Sequence, residues 1–224
     1  PVVLTGSQKS IYNRDTDARN NLYRAFVYAV SPDAWGVQLV FDNKVILGTR
    51  ARKTRTRSFD AFSSIDYPET AVFRDTRLIP FLRRPADLPP VQFYEQLDPA
   101  VFVLRLVPGM RADIIPLLAP HYRALVLESF GVGGLPGGEQ GEMFAELRRW
   151  CDSGRLAVFT TQVPHEGCDL AVYEVGRAVG ELPGVLEAHD MTPEAVAVKL
   201  MWALGQTQDR AEVIRLFETP VEVD

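Results

Sequence analysis

Three short apolar runs in the second half of the chain, residues 101–106, 124–127 and 156–161, constrain the fold more than any other feature. Each is bounded by turn residues, and a helical pattern lies between successive runs. Pro108-Gly109 makes a turn before a short helix over 112–118. Residues 139–151 read as a longer helix, with Phe144, Leu147 and Trp150 on one face and Asp152-Ser153-Gly154 as its stop. Strand alternating with helix implies a parallel sheet with right-handed crossovers. Helices over about 171–179, 193–205 and 209–217 complete the chain. Thr192 before Pro193, with Glu194 in the first turn, is a helix start.

The first half reads differently. Pro1-Val2-Val3-Leu4-Thr5-Gly6-Ser7-Gln8 is a buried strand running into a tight loop. A parallel strand needs a partner in the same sheet, so a longer chain, of which this is the later part, is expected. Asn13-Arg14-Asp15-Thr16-Asp17 is rich in capping residues, and Leu22, Phe26 and Val30 follow at helical spacing with Tyr23 and Val27 beside them. That pattern predicts a helix over about 17–30, ended by Ser31-Pro32-Asp33. Residues 37–41 and 44–47 are β-like runs separated by Asp42-Asn43, a hairpin. Short strand-like runs occupy 70–83. Arg84-Pro85-Ala86-Asp87-Leu88-Pro89-Pro90 is the expected linker, since proline there excludes a continuous helix or central strand. The resulting division is 1–83, a linker over 84–99, and 100–224.

Composition excludes several classes. A net charge of −5 argues against broad phosphate binding, and no apolar run approaches the ~18 residues of a membrane span. Two cysteines, Cys151 and Cys168, are too few for a disulfide framework or a structural metal site and fit a reducing compartment. His121, His165 and His189 lack metal-ligand spacing and read as surface or loop residues. Cys151 lies on the apolar stripe of its helix and reads as core. The loop Gly131-Val132-Gly133-Gly134-Leu135-Pro136-Gly137-Gly138 fits neither a dinucleotide nor a Walker pattern and reads as turn chemistry. Neither a cofactor nor a metal is expected. No nucleophile with its base is evident within the chain.

The chemistry-bearing candidate is the segment from Gly48 to Phe62. Lys53 is its only lysine, with Arg50, Arg52, Arg55 and Arg57 nearby. Arginine stays charged, whereas lysine loses its proton more readily where the site is dry or crowded with cations. Lys53 is therefore a candidate for proton transfer. Such a cluster is also the mark of a solvated face or a guarded strand edge, or of local nucleic-acid contact. Ligands of parallel sheets gather at the carboxyl ends of strands, which here are the loops at 6–8, 128–131 and 160–162.

These pieces coincide with a known family. Pro1 through Gln8, Thr16-Asp17 with Asn21-Leu22, and Lys53 with Phe59-Asp60-Ala61-Phe62 carry the likeness in the first half. Pro108-Gly109-Met110, Ser129-Phe130-Gly131-Val132-Gly133, Val172-Tyr173 with Gly176-Arg177, and Asp190-Met191-Thr192 through Lys199-Leu200 carry it in the second. In order and spacing the chain resembles the bacterial L-asparaginases. Its nearest likeness is to the cytoplasmic type I enzymes and to the related D subunit of the archaeal glutamyl-tRNA(Gln) amidotransferase.

The resemblance implies an α/β protein. A larger N-terminal catalytic domain, incomplete here and containing the hairpin, would be followed by a smaller C-terminal domain with a short parallel sheet flanked by helices. It implies a preceding segment that holds a nucleophilic threonine and a Thr-Asp pair. Lys53 matches the family's remaining catalytic residue, which relays a proton for the threonine. Ser7 and Gln8 match a loop lining the substrate pocket. The family's active site lies between subunits of a homodimer or homotetramer. Ser129, Gly133 and Glu174 are the candidates for the neighbour's contribution. The implied activity is hydrolysis of the side-chain amide of L-asparagine in the cytoplasm, with no nucleic-acid or membrane partner. A glutaminase-type amidotransferase subunit and a non-catalytic asparaginase-like protein are the alternatives. Glu128 stands where some type I enzymes have an arginine serving an allosteric asparagine site, and Gly134 stands where they have asparagine.

Overall fold

The computed structural model describes residues 1–88, 90–138 and 140–221. The chain divides into two compact units, Pro1–Phe93 and Tyr94–Asp224. Both are mixed α/β.

Unit 1 is built on a five-stranded sheet. In chain order its strands are β1 (Val2–Leu4), β2 (Val37–Phe41), β3 (Lys44–Leu47), β6 (Ala71–Arg74) and β7 (Arg77–Pro80), and they lie side by side in that order. A two-stranded ribbon, β4 (Ala51–Lys53) and β5 (Phe62–Ser64), completes the strands. Only the β1–β2 pair is parallel, with Val2 opposite Val37 and Leu4 opposite Leu39. The expected hairpin is present: Phe41 pairs with Lys44 across Asp42-Asn43, and Asp42 has φ 54°. Its apolar side chains Val40, Val45, Ile46 and Leu47 have no solvent exposure.

Helix α1 (Ala18–Ala29) forms where expected, but the face it buries differs from the sequence reading. Leu22, Phe26 and Val30 point to solvent, at 44%, 65% and 83% exposure, while Asn21, Ala25 and Tyr28 face the sheet. Asn21 decides the orientation. Its Nδ2 donates to Gly6 O at 2.9 Å and its Oδ1 accepts from Asp42 N at 3.0 Å, so it joins the first loop to the hairpin turn. Burying the apolar stripe instead would forfeit both of these part-buried bonds, at about 1 kcal/mol each. The first strand also departs from expectation. β1 lies at the sheet edge, with Val2 and Leu4 about half exposed rather than buried.

Unit 2 is a parallel sheet in the order β11-β10-β9-β8, formed by β8 (Val101–Arg105), β9 (Ala124–Ser129), β10 (Leu156–Thr161) and β11 (Val185–Glu187). Every residue of β9 and β10 is buried, as befits a parallel sheet covered on both faces. Leu125, Leu127, Ala157 and Phe159 face a core shared with α2 (Ile114–Leu118), α3 (Glu142–Asp152) and α4 (Glu174–Gly180). Ala124, Val126, Leu156 and Val158 face the other core, with α5 (Pro193–Gln206) and α6 (Arg210–Glu218). Thr192 caps α5 as expected, accepting from Ala195 N at 3.2 Å. Cys151 is 1% exposed and belongs to the first core, while the three histidines are exposed. The strand β11 escaped sequence reading. It has three residues after Pro183-Gly184, too short for its alternation to register. The predicted start of α3 at Glu139 lies outside the described residues.

Candidate functional site

In unit 1 the loop after β1 is gripped by a single carboxylate. Asp17, 6% exposed, accepts from Gln8 N at 2.9 Å, from Lys9 N at 3.0 Å and from Asn21 Nδ2 at 3.1 Å. By sequence Asp17 belongs with the capping residues of α1, yet its side chain caps nothing in the helix. Thr16 takes that role. Its Oγ1 accepts from Ala18 N at 3.0 Å while donating to Lys9 O at 2.9 Å. The start of α1 and the loop are thus one hydrogen-bonded body.

That body presents Gln8. Its Nε2 donates to Ser58 O at 2.9 Å, and its Oε1 accepts from Lys53 Nζ at 2.9 Å. Lys53 ends β4, opposite Phe62, with its amine 5.8 Å from the centre of the Phe62 ring. The structure therefore joins Lys53 to the loop following the opening strand, while Lys53 as a whole stays exposed. Ser7 is exposed beside Gln8.

The ribbon carrying Lys53 is braced by charge. Arg55 Nη1 donates to both the carbonyl and the carboxylate of Asp60 at 3.0 Å. Lys44 Nζ lies 2.7 Å from Asp60 Oδ1 and 3.5 Å from Glu69 Oε1. Partial burial pulls the Lys44 pKa down, but the Asp60 and Glu69 carboxylates outweigh it and leave the pKa above the usual lysine value. The arginine run is consequently no uniform cationic face. Arg50 is buried with its guanidinium over the Tyr67 ring, and Arg55 is committed to Asp60.

In unit 2 the three other candidates sit in different settings. Ser129 ends β9 beside Thr161 of β10, has no exposure, and donates its hydroxyl to Thr160 O at 2.8 Å. Gly133, at φ 151°, lies in the tight turn after β9; a Cβ there would push Leu170 Cδ2 aside from 2.7 Å and would strain the backbone, so glycine is favoured. Glu174 is the exposed first residue of α4. Glu128, 8% exposed, faces Arg105 of the neighbouring strand, 3.7 Å from its guanidinium. Gln162 locks this strand-end cluster, accepting from Arg105 Nε at 3.3 Å and donating to Leu106 O at 2.6 Å and Glu128 O at 2.9 Å. Among the described residues no group of His, Cys, Asp and Glu could hold a metal ion, and no helix is long and apolar enough to cross a membrane.

The clamp of Asp17 and Asn21 went unassigned in the sequence, where both appear only within a motif and a helix start. The signal that could have found them is a buried-type pairing of Asp and Asn four residues apart, one turn of helix, beside a glycine loop.

Comparison with known proteins matches both units. The family "Asparaginase, N-terminal" matches residues 1–85, and the family "Glutaminase/Asparaginase C-terminal domain" matches residues 100–217. An L-asparaginase of Thermococcus kodakarensis is 39% identical over 219 residues, 97% of this chain and 65% of that protein. The D subunit of the glutamyl-tRNA(Gln) amidotransferase of Pyrococcus furiosus is 34% identical over 231 residues, 98% of this chain and 51% of that protein. Among solved structures, the thermostable L-asparaginase from Thermococcus kodakarensis superposes with a TM-score of 0.91 at 36% identity, over 98% of this chain and 66% of that one. L-asparaginase I from Vibrio cholerae does so with a TM-score of 0.86 at 28% identity, over 99% and 67%. The chain thus spans between about half and two thirds of the length of these relatives.

Proposed function

The chain belongs to the asparaginase family, and from that membership we propose that the protein is an amidohydrolase that converts L-asparagine to L-aspartate and ammonia. The observation carrying this reading is the hydrogen bond from Lys53 Nζ to Gln8 Oε1, within a loop that Asp17 holds in place. It brings an amine to the carboxyl end of a parallel strand, where α/β sheets do their chemistry. The nucleophile in this reading is a threonine hydroxyl from a segment outside residues 1–224. In its neutral form Lys53, hydrogen-bonded to a second threonine and polarised by the aspartate of that same segment, accepts the proton released as the nucleophilic threonine attacks the amide carbon. The C–N bond breaks as the nitrogen takes that proton back from Lys53 and leaves as ammonia, and water then cleaves the acyl-threonine, releasing aspartate and restoring the threonine hydroxyl. No metal or cofactor takes part.

Ser7 and Gln8 line the substrate pocket in this reading. Glu174, being exposed, is the residue of unit 2 offered to a neighbouring subunit of a homo-oligomer, while Ser129 and Gly133 shape the loop after β9. The cytoplasm is the proposed compartment. Residues 1–83 and 100–224 act as the two domains, with 84–99 between them.

The test is ammonia release from asparagine by the complete protein and by Lys53→Met. Turnover falling to background with unchanged circular dichroism and unfolding midpoint is the expected result. Full activity in the variant removes Lys53 from the mechanism. The likeness to the amidotransferase's D subunit favours a second reading, in which the ammonia feeds a partner that modifies tRNA-bound glutamate. Glutamine hydrolysis that depends strictly on a partner protein and charged tRNA would select it.

A further inference from the structure

We propose that unit 2 carries a binding site for a small dianionic oxyanion, of the phosphate or phosphate-monoester class, at the amino ends of β9 and β10. This is the end of the sheet opposite to the one where ligands of parallel sheets ordinarily gather.

A cleft of ≈350 Å³ opens there, within the size range of small-molecule sites. Arg123, Arg155 and Arg210 line it together with His121, Ser153 and Gln208, and no carboxylate is among the described lining residues. Arg123 and Arg155 each immediately precede a strand, and Arg210 opens α6, so three separate elements bring guanidinium groups to one concavity.

The three arginines are not equally neutralised. Arg123 is paired with Asp98 at 2.6 Å. Among the described residues Arg155 donates only to uncharged acceptors, Tyr122 O at 3.2 Å, Ser153 Oγ at 2.6 Å and Ala119 O at 2.7 Å. Arg210 donates one Nη2 bond to Pro183 O at 2.7 Å, and its buried Nε finds no acceptor. Two full positive charges are thus held by neutral partners with donor capacity to spare, since a guanidinium carries five N–H groups. In a chain of net charge −5 such a local excess is unlike its surroundings. Planar guanidinium forks match the oxygens of a phosphate and bond it more strongly than neutral donors do. A single concave cleft on an acidic chain suits a compact anion better than a nucleic-acid backbone, which needs an extended basic track.

Calorimetric titration of the full chain with inorganic phosphate and, separately, with a sugar monophosphate tests this, against sodium chloride at matched ionic strength. The expected result is saturable binding by at least one phosphate species and none by chloride. Whichever species binds more tightly identifies the source as free phosphate or a phosphorylated metabolite. Arg210→Gln should weaken binding at least tenfold. Gln208→Glu, which adds a carboxylate at an exposed lining position, should do the same without touching the core, and it decides the matter if Arg210→Gln does not fold. Heat equal to that of chloride, or affinity unchanged in both variants, overturns the proposal.

Discussion

Replacing Asp17 by alanine tests whether the loop after β1 is held by one buried carboxylate. The side chain accepts from two backbone N–H groups, of Gln8 and Lys9, and from the amide of Asn21. A hydrogen bond to a charged group contributes roughly 1.5–3 kcal/mol. Gln8 and Lys9 are half-buried, so their freed donors regain part of that from water. About 1 kcal/mol for each of the three donors is then a fair value, giving a loss of roughly 2–4 kcal/mol for Asp17→Ala. Asp17→Asn keeps one acceptor oxygen but turns an amide NH2 toward a donor, and should lose about half as much. Urea unfolding followed through circular dichroism measures the loss. Hydrogen exchange localises it, because the Gln8 and Lys9 amides should lose protection ahead of the amides of β2 and β3. If both amides stay protected in Asp17→Ala and the unfolding free energy changes by less than about 0.5 kcal/mol, within the range of ordinary surface substitutions, the clamp is not what orders this loop.

Burial raises the Cys151 thiol to about 11 and the Cys168 thiol to about 12, with the Glu187 carboxylate adding to the second. Unfolded thiols ionise near 9, so between pH 9 and 11 the native state binds more protons and stability falls as pH rises, by up to about 1.4 kcal/mol per unit for each thiol. The unfolding midpoint of a Cys151→Ala, Cys168→Ala double variant should be flatter over that window, and an unchanged slope would contradict the assignment. Thr192→Ala should cost about 1 kcal/mol through loss of the α5 cap, read as a lower urea midpoint. Phe26→Ser should change the stability of this chain by less than about 0.5 kcal/mol despite its place in the apolar stripe of α1, because its side chain faces solvent. A loss of several kcal/mol would mean that this face is covered.

The fold of unit 2 was legible because its local and tertiary signals agree. Continuous apolar runs at 124–127 and 156–161 are what a strand buried on both faces requires, α3 stops at Asp152 just where the sequence breaks to Ser153-Gly154, and Thr192 caps α5. Unit 1 was legible in its elements and misread in their orientation. α1 has apolar residues on two faces, and periodicity alone favours the stripe through Leu22, Phe26 and Val30. The competing face wins through a polar residue. Asn21 answers the carbonyl of Gly6 and the N–H of Asp42, two groups far apart in the sequence of unit 1. No periodicity count registers such a bond, since its value depends on a hairpin turn that is not yet placed.

The candidate site shows the same division between composition and placement. One lysine among four arginines could be picked out by residue type, but type alone cannot say which cations are committed. The structure pairs Arg55 with Asp60 and buries Arg50 over Tyr67, and the amine of Lys53 is the one that bonds Gln8 Oε1. Gln8 in turn is aimed by Asp17, whose sequence context advertises a helix cap. An Asp in that position has two uses for its oxygens, the first helical N–H groups or those of a neighbouring loop, and the choice follows from Thr16. Because Thr16 Oγ1 already accepts from Ala18 N, the carboxylate of Asp17 is free to turn outward to Gln8 and Lys9. Thr16→Val, which keeps the shape and removes the hydroxyl, therefore forces the two roles onto one side chain. The variant also loses the bond from Thr16 Oγ1 to Lys9 O, so Gln8 is the diagnostic amide: if this division of labour is real, it should lose protection in hydrogen exchange although Thr16 Oγ1 bonds Lys9 and Ala18 and not Gln8.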